Sequence, residues 1–62
     1  MKSKVKKTND VINSLKEFKT ILEGQEKTVR GGGLIYIAIA FHNLINVIDE
    51  HIEQFEKYKG ML

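Results

Sequence analysis

The sequence predicts an all-α protein, a two-helix antiparallel hairpin that assembles into a homo-oligomeric helical bundle. Three observations carry this expectation. Gly31-Gly32-Gly33 is the one place in the 62 residues where helix propensity collapses over consecutive positions. On both sides of it, apolar residues recur at alternating spacings of 3 and 4, the period of an amphipathic helix. Beyond it, the apolar surface is wider than one neighbouring helix covers.

Size and composition narrow the function before any motif is considered. A chain of 62 residues holds one domain. Domains this small bury only roughly 60% of their unfolded surface and usually lean on a disulfide, a metal or a partner chain. With no Cys, disulfides, thiolate zinc sites and cysteine nucleophiles are all removed, which leaves a partner chain as the expected support. A hydrophobic share of 42% with 29% charged residues argues against intrinsic disorder and against a membrane protein. The longest apolar run, Leu34 to Phe41, falls far short of the about 20 residues a spanning helix needs. After the basic start, polar Thr8-Asn9-Asp10 replaces the apolar core of a secretion signal, so a cytoplasmic location is expected. Richness in Ile, Lys, Glu and Asn points to an AT-rich bacterial or phage genome.

The first helix is expected over about residues 8–30. Thr8, Val11, Leu15, Phe18, Leu22, Gln25 and Val29 form its stripe, with Ile12 and Ile21 at the margins. Gly24 weakens the interior, but the pattern continues to Val29, so the helix is read as passing through it. Ser3 and Thr8 are the candidate N-caps, because their hydroxyls accept hydrogen bonds from first-turn amides. The Gly connector occupies 31–33, and the second helix is expected over about 34–59. These two helices, roughly 35 and 39 Å long at 1.5 Å per residue, match as the arms of a hairpin.

In the second helix Leu34, Ile37, Phe41, Leu44, Ile48, His51, Phe55 and Tyr58 keep the same alternation. Beside that seam run Ala38, Ile45 and Ile52, and the first turns add Ile35, Tyr36, Ile39 and Ala40. A helix apolar nearly all round is buried nearly all round. The candidate oligomer or partner interface is therefore Leu34, Ile35, Tyr36, Ile37, Ala38, Phe41, Ile45, Ile48 and Ile52. A connector centred near residue 32 would set positions summing to about 64 opposite each other, Phe41 beside Leu22 and Ile48 beside Leu15.

Charge is uneven. The net charge is +2, but residues 1–30 hold eight basic and four acidic groups, and residues 34–62 hold two and four. An antiparallel return would bring Lys4, Lys6 and Lys7 within reach of Glu53 and Glu56. Solvated pairs of that kind contribute about 0.2 to 1 kcal/mol each and imply little about function.

Chemistry-bearing residues are few, and no catalytic, cofactor-binding or metal-binding set is expected. His42, Asn46, Asp49 and Glu53 form one polar stripe, read as a solvated face. The Glu-x-x-His pattern of helical two-metal sites is missing, since Ile39 and Ile48 stand three residues before the two histidines. His51 is read as a polar seam residue, with a pH-sensitive assembly as the alternative. Arg30, Gly31, Gly32 and Gly33 are candidate anion contacts at a helix N-terminus, although the strand-loop-helix setting of a phosphate loop is lacking. One of the three glycines is expected to require a positive φ and to resist Ala. The sequence thus reads as a small, non-enzymatic interaction or regulatory protein that self-associates and binds another macromolecule, a protein before all else. The alternative is a nucleic-acid- or nucleotide-binding oligomer that uses Lys2, Lys4, Lys6, Lys7 and Arg30.

Overall fold

The computed structural model describes residues 2–62, apart from the side chain of Lys2. Two helices make up the chain, α1 at Lys2–Gly31 and α2 at Ile35–Gly60. They pack against each other along their lengths as an antiparallel hairpin. The reading through Gly24 holds, because α1 is helical on both sides of it.

α1 begins six residues before the expected start at position 8. Thr8 is not its cap, since its Oγ1 donates 2.8 Å back to the carbonyl of Lys4 inside the helix. Ser3 is also inside. The lysine-rich start therefore has the straight-chain side chains that favour helix, and nothing before Thr8 interrupts it.

α1 ends one residue into the glycine run. Gly33 donates to the carbonyl of Arg30 at 3.1 Å and Leu34 to that of Val29 at 2.9 Å, the paired bonds of a Schellman stop. Gly33 has φ +81°, and among the described residues it alone takes a positive φ. Leu34 follows, and its carbonyl accepts the amide of Ala38 at 3.0 Å to open α2.

Cross-helix contacts set the register. Lys19 meets Asp49, Glu26 meets His42, and Asn9 meets Lys59, each pair summing to 68. The expected sum of 64 is corrected by about one helical turn. Gly31 belongs to α1 and Leu34 does not belong to α2, so the chain reverses nearer residue 33 or 34 than 32. Leu22 then lies level with Ile45, and Leu15 with Ile52. The predicted meeting of Lys4, Lys6 and Lys7 with Glu53 and Glu56 fails for the same reason. Glu56 instead pairs with Lys16 at 3.3 Å and Glu53 with Lys57 at 3.5 Å.

Both helices are also rotated from the expected orientation by one column. On α1 the covered positions are Val5, Thr8, Asn9, Ile12, Leu15, Lys19, Leu22, Glu26 and Val29. Val11, Phe18 and Gln25, expected in the seam, stay exposed. On α2 the covered positions are Ala38, Phe41, Ile45, Ile48, Ile52, Phe55 and Lys59, while Leu34, Ile37, Leu44, His51 and Tyr58 stay outside. Ala38, Ile45 and Ile52, expected beside the seam, are the most buried residues of α2 at 0%, 7% and 8% exposed. The buried core is completed by Ile12 and Leu22.

The Cα extents are 48 × 15 × 9 Å. A thickness of 9 Å is one layer of helix, so neither broad face has anything stacked on it. Domains ordinarily bury their apolar stripes between two layers.

The glycines separate cleanly by environment. A Cβ at Gly24 or Gly31 meets nothing within 4 Å, and at Gly32 only ordinary contact at 3.6 Å. Gly24→Ala is expected to raise stability by about 0.5 to 1 kcal/mol through helix propensity. Gly33→Ala is expected to lower it by about 1 to 2 kcal/mol, because the left-handed conformation penalises Cβ. Urea denaturation followed by circular dichroism measures both, with Gly31→Ala and Gly32→Ala as near-neutral references.

Candidate interaction surface

In heptad terms the seam takes a at 5, 12, 19 and 26 and d at 8, 15, 22 and 29 of α1, and a at 38, 45, 52 and 59 and d at 41, 48 and 55 of α2. The reversal of the chain then puts the e flanks of the two helices side by side on one broad face, and the g flanks on the other. Lys16 and Glu56, both at e, form an ion pair. Val11 and Tyr58, both at g, line one shallow groove together with Lys7, Thr8 and Phe55.

The two faces differ in chemistry. On the e side, Lys19 reaches from the seam to Asp49 at 2.7 Å, and Glu26 reaches both Arg30 at 3.1 Å and His42 at 3.5 Å. Lys59 donates to Asn9 at 2.9 Å on the same side. Each charged residue of the seam thus leans toward the e face, where its partner and water are both available. The hydrogen bond to Asp49 holds the Lys19 ammonium above its ordinary pKa of 10.5 against the opposing effect of desolvation, with help from the nearby charges of Asp49 and Glu23.

The g side carries Val11, Phe18 and Ile21 from α1 and Ile37, Leu44, Val47 and Tyr58 from α2. All seven are about half exposed. His51 lies among them, not in the seam as expected. Its Nδ1 donates to the carbonyl of Val47 at 2.8 Å, and its ring meets Phe55 edge-on at 6.1 Å between centroids. The bond to its own helix turns the imidazole back along α2.

A second apolar region lies at the connector end. Leu34, Ile35 and Ile39 are about half exposed and Tyr36 is 90% exposed. Gly33, Leu34, Ile35, Tyr36 and Ile37 border a shallow hollow there. Of the interface candidates named from sequence, Leu34, Ile35, Tyr36 and Ile37 are thus at the surface, whereas Ala38, Phe41, Ile45, Ile48 and Ile52 line the contact between α1 and α2. Phe18, Ile21, Leu44 and Val47 were missed as surface residues. The signal for them was the second apolar column on α1, Val11 with Phe18, which one neighbouring helix leaves uncovered.

No family model, curated protein or solved structure matches the chain. Among the described residues, no group of three or more His, Asp or Glu side chains gathers as a metal site, and no helix is long and apolar enough to cross a membrane. His42 and Asp49, from the polar stripe of α2, are engaged with Glu26 and Lys19. At the proposed anion contacts, the amides of Gly32 and Gly33 donate to Thr28 and Arg30 within the cap. The Arg30 guanidinium is held by Glu26.

The raised pKa of Lys19 gives a pH test of the e-side pairing. A cation whose pKa is higher in the fold contributes stability that is complete below its unfolded value, near 10.5, and is lost as pH rises through the folded value. The stability advantage of the wild type over Asp49→Asn is therefore expected to be level between about pH 7 and 10 and to shrink above that range. Urea midpoints of the two proteins through that range and above it measure it.

Proposed function

We propose that this chain is a small, non-enzymatic interaction protein, a helical hairpin that self-associates through its apolar broad face and acts by binding another macromolecule with what stays exposed. The observation that carries this reading is the division of a single-layer hairpin into one ion-paired face and one apolar face. Random scatter of apolar residues over a monomer surface is ordinary. Seven of them gathered on one face are not, and apolar surface concentrated in that way marks association sites.

Self-association accounts for the g face but not for the connector end. Ile35, Tyr36 and Ile39 point away from that face by their heptad positions e, f and b, so a second layer leaves them exposed. Tyr36 joins a large apolar ring to a hydrogen-bonding tip, the composition favoured where protein partners meet. The hairpin tip is accordingly the surface assigned to the macromolecular partner. The nucleic-acid alternative needs Arg30 and the N-terminal lysines on one surface. Arg30 sits at the connector and the lysines at the opposite end of a hairpin 48 Å long, so only an assembly of several copies brings them together, and there the Arg30 guanidinium is already engaged by Glu26.

Sedimentation equilibrium at micromolar concentration tests the reading. The expected result is a mass above that of one chain, falling to one chain for Val47→Glu, which adds charge to the middle of the apolar face. A compact, well-folded monomer of the wild type refutes it.

A further inference from the structure

We infer that the apolar broad face is an isologous interface with a second copy of this chain, packed face to face with the two connectors at opposite ends, closing a four-helix bundle. This rests on the self-association proposed above and adds its surface and its geometry.

Area sets the scale of the partner. Each of the seven half-exposed side chains leaves on the order of 100 Å² in water, about 700 Å² together. That lies above the roughly 300 to 600 Å² of the largest patch on a typical monomer. It approaches the ~800 Å² that each partner gives to a standard stable interface.

The distribution of residues selects a second copy as the occupant. Ile37 and Tyr58 bound the face on α2, so its midpoint falls next to Val47, and the level pairs of the core, Leu22 with Ile45 and Leu15 with Ile52, put that point about midway between Phe18 and Ile21 on α1. A half-turn about an axis through this midpoint and across the helices lays Phe18 of each copy on Ile21 of the other. It also sets Gln25 against Ser14, Leu44 beside His51, and Ile37 against Tyr58. The polar Gln25 and Ser14 meet each other, and of the apolar positions only Val11 meets a polar residue, Thr28, so the face has most of the self-complementarity that a two-fold interface requires.

Charge selects the orientation. With both connectors at one end, the lysine clusters at Lys4, Lys6 and Lys7 of the two copies would adjoin. With connectors opposed, the clusters stand nearly a hairpin length of 48 Å apart, far beyond the ~10 Å over which salt leaves such charges interacting. Antiparallel stacking of two short-looped hairpins also gives the knobs-into-holes packing of four-helix bundles.

The chain contains no Cys, so each single-cysteine variant carries one thiol. Val47→Cys lies beside the axis and is expected to form a covalent dimer under mild oxidation. Gly31→Cys, where a side chain meets open space, is labelled with a nitroxide for electron spin distance measurement. With connectors opposed, the two labels are expected about 35 Å apart from the helical rise over the intervening turns. A separation under about 20 Å, with a dimeric mass retained, overturns the orientation while leaving self-association in place. Phe18→Glu is expected to weaken the dimer at least about tenfold, since it puts an unpaired carboxylate in the contact. An undiminished dimer in that variant overturns the surface, and a monomeric wild type overturns both the geometry and the self-association beneath it.

Discussion

The reversal at Gly33 is the constraint on which the rest depends. A helix stop with bonds from Gly33 to Arg30 and from Leu34 to Val29 leaves no slack between α1 and α2. The return of the chain is therefore fixed to within a residue, and with it the pairing of Lys19 with Asp49 and of Glu26 with His42. Those pairs are exposed on one side and contribute little stability. Their value is geometric, because a charged seam residue selects among rotations that apolar residues alone leave nearly equal.

Rotation is what the sequence left open. Val11 and Ile12, or Leu44 and Ile45, are adjacent columns of comparable hydrophobicity, and the spacing of 3 and 4 fits either. An apolar template prefers Val11-Phe18-Gln25 because the competing column contains Lys19 and Glu26. Long charged side chains occupy a seam edge readily when the stem packs and the head escapes to water or a partner. Lys19 and Glu26 both do so, toward the e face. The break at the glycines, the passage through Gly24 and the two-helix hairpin were legible because helix propensity and period are local properties. Register was not, since it turned on whether Gly31 prolongs α1 and Leu34 starts α2, a matter of one hydrogen-bonded turn.

The rotation error has a physical source in the chain itself. α1 and α2 each carry two apolar columns, and a two-helix layer has room between its helices for one. Ala38, the most buried residue, is also the smallest side chain of the seam, and it allows the backbones to close where the connector begins. The larger Phe18 and Leu44 cannot share that space with Leu22 and Ile45, so they turn outward together. The hairpin by itself therefore leaves the second column of each helix half in water.

Thickness then separates what stabilises the chain from what it presents. A hairpin 9 Å thick has one broad apolar face and one ion-paired face, and only the apolar one calls for the second layer proposed above. The connector end fits neither category. Leu34, Ile35, Tyr36 and Ile39 surround the start of α2 on flanks that a stacked copy does not reach, and Tyr36 is nearly as exposed as a side chain in an isolated helix. Keeping such residues at a turn works against solubility and contributes nothing to the seam. Under the proposed function, contact with a partner would give that surface a favourable environment, and the opposed connectors of a two-fold bundle would offer it twice, once at each end.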